Sequence, residues 1–381
     1  MRNSSRNRLG WVHVALALAV MWAGAWVARG EDHDDAPNAV FALTNEATGN
    51  QLAVFARDDR GMLTPVGLVP TGGAGTGQNT HSQGGLAFGD DQRSLYAVNS
   101  GDNTITVFSL TPTGPVPIQQ IESGGQLPVS LAVREDLLYV LNAGSVAGGV
   151  DNIAGFRVRR GGFLRPLHDS SRPLSAAMTG PAQVGFSRDG DVLIVTERNT
   201  NRITTYELDD DGRPGPPQPM ASAGATPFGF RVNRQGFLIV SEAAGGANGP
   251  SASSYSVDDE GTIAVISASV PTGGTAPCWI GVTEDGQHAY AVNAGSGTIT
   301  GYAVGGQGAL TRLSTNGGIF PTGGNGPTEV AIHRNRLLYV LNRDSGGIGA
   351  FQIGADGTLV MIQNLEGVLP ATTFANGLLV H

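Results

Sequence analysis

Residues 95–110 read LYAVNSGDNTITVFSL, a run of β-favouring residues, a polar Gly/Asn turn, and a second such run. Val, Ile, Tyr, Phe and Thr suit a pleated, half-buried surface, and Gly-Asp-Asn supplies a tight reversal, so the stretch predicts an antiparallel hairpin. The pattern returns six more times, as FALTNEATGNQLAVFA from Phe41, LYVLNAGSVAGGVDNIAGFRV from Leu138, LIVTERNTNRITTYEL from Leu193, LIVSEAAGGANGPSASSYSV from Leu238, AYAVNAGSGTITGYAV from Ala289 and LYVLNRDSGGIGAFQI from Leu338. Superposing the seven places Asn45, Asn99, Asn142, Glu197, Glu242, Asn293 and Asn342 at one position, the end of the first strand of each hairpin. The period is about 50 residues, the length of a four-stranded propeller blade.

Working outward from the hairpins locates the other two strands. A short run beginning with proline precedes most of them: PVSLAV from Pro128, PAQVGF from Pro181, PFGFRV from Pro227, PCWIGV from Pro277 and PTEVAI from Pro327. Proline lacks the N–H that a ladder needs, and the first residue of a strand is where that lack is tolerated. A further run follows each hairpin and ends near PTGG, as at Pro271 and Pro321. The chain enters this scheme in mid-unit near Val40 and ends on a lone first-type strand, NGLLV from Asn376 to Val380. Pairing of the two ends would complete the first unit, so the expected fold is all-β: a seven-bladed β-propeller over residues 40–381, closed by its N- and C-terminal strands.

Composition agrees. Of 381 residues 57 are Gly and 21 are Pro, while only 14% are charged, which excludes a helical bundle or coiled coil. All 23 basic residues are arginine, and the net charge is −9, which argues against nucleic acid or an anionic lipid surface as a partner. Residues 1–30 carry Arg2, Arg6, Arg8 and Arg29 around an apolar run from Trp11 to Trp26, the pattern of a secretory signal peptide. Residues 31–39 then form an acidic linker. The expected location is periplasmic or extracellular, free of the membrane after signal cleavage, and a monomer is expected. Cys278 is the only cysteine, so no internal disulfide can form.

The YAVN and YVLN units, the GDNTITVF and GSGTITGY hairpins and the Asp-Gly turns resemble the YVTN-type lactonase family of seven-bladed propellers, which includes 6-phosphogluconolactonase-like proteins and carboxymuconate cyclase. Within that family the chain looks nearest to secreted bacterial members. The resemblance implies a hydrolase or cycloisomerase acting on a small lactone or carboxylate at the mouth of the central channel. Where lactonase-type members place histidines at two strand starts, this chain reads GPAQVGF and TPFGFRV.

Positions where one blade departs from the others are the candidates for chemistry. Glu197 and Glu242 replace Asn in two successive blades; they could act as general base and acid, bind Ca²⁺ together with the Asn carbonyls, or brace their loops as Asn does. Arg231 occupies a position that is Gly or Ala in the other internal blades, and is expected to pair with Glu242 and hold an anionic substrate or an oxyanion. His81, in NTHSQGG, is a candidate for proton transfer or a loop histidine bonded to backbone. Trp279, Gln183 and Glu329 share one position on three first strands and are expected, with Arg198 beside Glu197, to contact substrate. Cys278 reads as a small apolar filler. No metal-ligand motif is present, and no cofactor is expected beyond the Ca²⁺ alternative. A non-catalytic extracellular propeller that binds a ligand or macromolecule remains the second reading, since the fold hosts both.

Overall fold

Each of the seven sequence units folds into one antiparallel sheet in the computed structural model, which describes residues 38–244, 249–371 and 374–381. The segment read as a signal and most of the acidic linker lie outside the described residues, as do residues 245–248 of the loop after Glu242. We number the blades 1–7 along the chain and letter their strands a to d from the channel outward. The a strands of blades 2–7 are Leu86–Phe88, Pro128–Arg134, Pro181–Phe186, Pro227–Val232, Pro277–Val282 and Pro327–His333. They contact one another in a closed ring with Asn376–Val380.

The ends of the chain meet as the unit pattern predicts. Asn376–Val380 forms strand a of blade 1 and pairs antiparallel with Ala39–Leu43, Val40 opposite Val380 and Phe41 opposite Leu379. Strand b of blade 1 thus opens at Ala39, within the stretch read as linker. Two outer strands are broken in two: Leu164–Pro166 with Arg172–Pro173 in blade 3, and Leu310–Arg312 with Ile319–Pro321 in blade 6.

The repeated motif is explained by contacts between blades. Each b strand is buried along almost its whole length, so a tyrosine there must find a partner for its hydroxyl. The partner is a glycine carbonyl in the c-to-d turn of the next blade: Tyr96 donates to Gly162 at 3.0 Å, Tyr139 to Gly212 at 2.6 Å, Tyr290 to Gly357 at 2.8 Å and Tyr339 to Gly61 at 2.9 Å. Glycine is required at such a turn: Gly162 sits at φ 82°, and a Cβ there would overlap Ser94 Oγ. Blades 4 and 5 carry Ile194 and Ile239 instead; in blade 4 the hydroxyl comes from Thr205, which donates to Gly261 O of the next blade at 2.7 Å.

Candidate functional site

The ring of Asn and Glu at the ends of the b strands is part of the scaffold. Asn99 Nδ2 donates to Thr104 and Thr106 hydroxyls at 3.0 and 2.8 Å, and Asn293 Nδ2 to Thr298 and Thr300 at 3.1 and 2.9 Å. Glu197 and Glu242 stand in the same place, each fully buried opposite the first proline of its a strand. Glu197 accepts from the Ser175 N–H at 3.0 Å, from the Ser175 hydroxyl, from Thr200 at 2.8 Å and from Thr204 at 2.6 Å. Glu242 accepts from the Gly224 N–H at 2.7 Å and the Ser251 hydroxyl at 2.6 Å, with Ser222 and Tyr255 hydroxyls at 3.3 and 3.4 Å. Neither carboxylate reaches the channel, and the donors around each already use both oxygens. The expected roles as water-directing acid and base, and the alternative of a shared calcium, meet an obstacle here: the two groups are sealed in separate blades. Among the described residues no cluster of three or more His, Cys, Asp or Glu side chains forms.

Inside the channel the a strands present inner edges with no further strand to pair them, and buried backbone groups there need other partners. Side chains from neighbouring blades supply them. Ser130 Oγ accepts from Val184 N at 3.2 Å, and Gln183 Oε1 accepts from Phe230 N at 2.7 Å. In blade 5 the equivalent residue is Gly229, which cannot reach blade 6. Gln83, from the segment leading into blade 2, crosses the channel instead, donating from Nε2 to Ile280 O at 2.9 Å and accepting from Ile280 N at 3.1 Å. A Cβ on Gly229 would overlap Gln83 Oε1, so the glycine makes room for the crossing side chain. Glu329 Oε1 accepts from Gly84 N at 3.0 Å, and Gly377 N–H also donates to this carboxylate. Ser82–Gly84 therefore plugs the channel, tying blade 2 to blades 3, 4, 6 and 7 through Leu131, Ala182, Ile280 and Glu329.

Three of the expected substrate contacts belong to this plug. Gln183 and Glu329 are buried edge caps, and Trp279 is only 3% exposed, with its Nε1 donating to Ser82 O at 2.8 Å. The sequence shows their shared position but not that a loop from another blade fills the space before them. Arg231 is also placed differently from expectation. It pairs in register with Ile239, whereas Glu242 lies opposite Pro227 at the far end of the strand, so the two cannot form an ion pair. The carboxylate that acts on Arg231 is Glu329. Burial pushes the Glu329 pKa up to about 7, and Arg231 together with the Gly84 and Gly377 N–H groups opposes that shift.

The remaining candidates converge above the plug. His81 and Phe374 come from d-to-a connections, Arg198 and Arg343 from the residue after the ring position in blades 4 and 7, and Phe228 and Cys278 from the second position of their a strands. The Arg198 guanidinium lies over the Phe228 ring at 5.4 Å, Phe228 in turn packs against Trp279 at 5.3 Å, and Arg343 lies over Phe374 at 4.9 Å. Arg198 Nε donates to Gly180 O at 3.0 Å, and among the described residues no hydrogen bond or ion pair engages its terminal nitrogens. Arg343 is held by Asp344 at 2.7 Å. Desolvation lowers the pKa of the exposed His81, and the charges of Arg198 and Arg343 lower it further, so the imidazole is neutral near pH 7. Burial pushes the Cys278 thiol up to about 12, despite the two nearby guanidinium groups, which fits the reading of an inert filler. Arg343 was not singled out from sequence, although the comparison of blades that exposes Glu197 would have found it: Arg follows the ring residue only in blades 4 and 7.

Comparison with known proteins bears out the family resemblance. The family model described as Lactonase, 7-bladed beta-propeller matches residues 36–148. The fold is similar to that of the periplasmic gluconolactonase PpgL of Pseudomonas aeruginosa, with a TM-score of 0.64 and 19% identity over 89% of this chain and 98% of that one. It is also similar to a Bacteroides fragilis protein with an inferred 6-phosphogluconolactonase assignment, with a TM-score of 0.67 and 19% identity over 92% and 99% of the two chains. A Lactobacillus plantarum protein gives a TM-score of 0.69 at 17% identity over 90% and 99%. No curated protein sequence matches.

Proposed function

We propose that this lactonase-type propeller is a secreted hydrolase that opens a small sugar-acid lactone at the channel mouth between Arg198, Arg343 and His81. The observation that carries the reading is Arg198: a guanidinium fixed by an aromatic ring and one backbone carbonyl, with its terminal nitrogens unused and turned to the same mouth as a neutral imidazole. An arginine fork of that kind suits a carboxylate or a developing oxyanion. His81 accepts a proton from water as the water oxygen bonds to the lactone carbonyl carbon, and Arg198 donates to the oxyanion that forms. The ring C–O bond then breaks, and the proton passes from His81 to the departing oxygen. The carboxylic acid so formed loses its proton to solvent, and the carboxylate of the hydroxy acid lies against the two guanidinium groups. The plug beneath excludes water from below and keeps the chemistry at one face.

A second reading, binding of a carboxylate without turnover, is favoured by the sealing of Glu197 and Glu242 inside their blades. Purified protein offered five- and six-carbon aldonolactones separates the two. Turnover lost in Arg198→Ala and in His81→Gln supports hydrolysis. Saturable gluconate binding that needs Arg198, without turnover, supports the second reading. Neither turnover nor binding removes both.

A further inference from the structure

A basic groove lies on the outside of the ring, away from the channel. It is lined by Gln119 of blade 2 and by Arg159, Arg160, Phe163, Leu164 and Arg165 of the c-to-d turn of blade 3, and encloses about 680 Å³. Arg159, Arg160 and Arg165 are exposed, and among the described residues none makes a side-chain hydrogen bond or ion pair. Some other arginines on this acidic chain are matched with acids, as Arg188 with Asp189 at 3.0 Å and Arg213 with Asp211 at 2.5 Å. Three unmatched guanidinium groups within seven residues, on a protein of net charge −9, are a local reversal of sign. Between them Phe163 stands 45% exposed.

The turn that presents these groups is held in place. Tyr96 of blade 2 donates to Gly162 O, and the Gln119 amide accepts from Leu164 N at 2.7 Å and donates to Leu164 O at 2.9 Å. This second anchor also restricts the occupant. An acidic peptide adding itself to the sheet would need the outward N–H and C=O of strand Leu164–Pro166, but Gln119 has taken both at Leu164, and Pro166 has no N–H. What remains open is a rigid set of planar cations beside an aromatic face.

We propose that this groove binds a carboxylated polysaccharide, a chain of uronic acid residues. The arginine forks would pair with successive carboxylates, and Phe163 would carry the apolar face of a sugar ring. The site is separate from the channel mouth and does not depend on the reaction proposed there.

The test is affinity electrophoresis and calorimetry of the full chain with polygalacturonate, beside neutral pullulan and poly-glutamate as controls. Retardation by polygalacturonate only is expected, with affinity at least tenfold weaker in R159Q/R160Q/R165Q and several-fold weaker in F163A at unchanged Tm. Equal binding to poly-glutamate, or polygalacturonate binding that survives the triple substitution, overturns the proposal. So does an absence of retardation at physiological salt. Should the triple variant lose Tm, the single variants R159Q and R165Q carry the same expectation at smaller size, and unchanged affinity in both overturns it.

Discussion

Gln83 belongs to the segment that leads into blade 2, yet its side-chain amide completes the backbone of blade 6 at Ile280, with contacts of 2.9 and 3.1 Å. The seven inner edges of a propeller must be satisfied from the channel, and where Gly229 offers no side chain this glutamine does so from across it. Removing it leaves a buried N–H and a buried C=O without partners, at about 1–3 kcal/mol each. Gln83→Ala is therefore expected to lower unfolding stability by about 2–4 kcal/mol in denaturant titration. Gly229→Ala, which displaces the same amide, is expected to give a comparable loss. A Gln83→Ala protein as stable as wild type would mean that the plug is not structural.

The Glu329 carboxyl, with a folded pKa of about 7, predicts an unusual pH dependence. The unfolded chain loses this proton near pH 4.3 while the folded protein keeps it to about 7. Between those values the native state binds the extra proton, so stability falls as pH rises through the window and levels off above it. The shift corresponds to about 4 kcal/mol. The difference in unfolding free energy between wild type and Glu329→Gln, measured from pH 4 to 8, should show this slope in wild type alone. A flat difference across the window would mean that the carboxyl ionises normally.

His81, the proposed base, is kept below the usual histidine range by desolvation and by two guanidinium charges. Its active form is neutral, so kcat/KM should rise with pH through a midpoint below 6.5 and stay level at neutral pH. Arg343→Gln removes one positive neighbour and should move that midpoint upward, toward the ordinary value. A midpoint unmoved by the substitution would detach His81 from the acid limb.

Glu197 and Glu242 brace their blades, and substitution should affect stability and leave chemistry alone. Glu242→Gln keeps an acceptor for Gly224 but turns a donor toward Ser251, at an expected cost of about 1–2 kcal/mol. The expected kcat/KM is within twofold of wild type for both single variants. A loss of a hundredfold in either, with Tm maintained, would return the carboxylates to the reaction.

The repeat made the fold legible down to the closing strand, because hairpin periodicity, proline at strand starts and the lone NGLLV segment are local features of the chain. The site was legible only in part. Arg198 and His81 stand at the mouth because their places follow from the repeat alone. Gln183, Glu329 and Trp279 also follow from it, but what lies in front of them does not: Ser82–Gly84 fills the channel through contacts spanning up to 245 positions in sequence. Glu197 and Glu242, which break a pattern of Asn, left chemistry and loop bracing both open, and the hydroxyls that surround them and favour bracing come from other segments of the chain. Arg231 illustrates the same limit. Its neighbour in sequence, Glu242, lies at the far end of the hairpin, and its electrostatic partner, Glu329, comes from two blades away.

The central claim is that Arg198 is the anion-holding group of a hydrolytic mouth. The most direct measurement is kcat/KM for an aldonolactone with wild type and Arg198→Ala at equal Tm. The account predicts turnover by wild type and a loss of about 10²–10³-fold in the variant, the usual effect of removing an oxyanion donor. Wild-type turnover that the variant retains within a few-fold would contradict it.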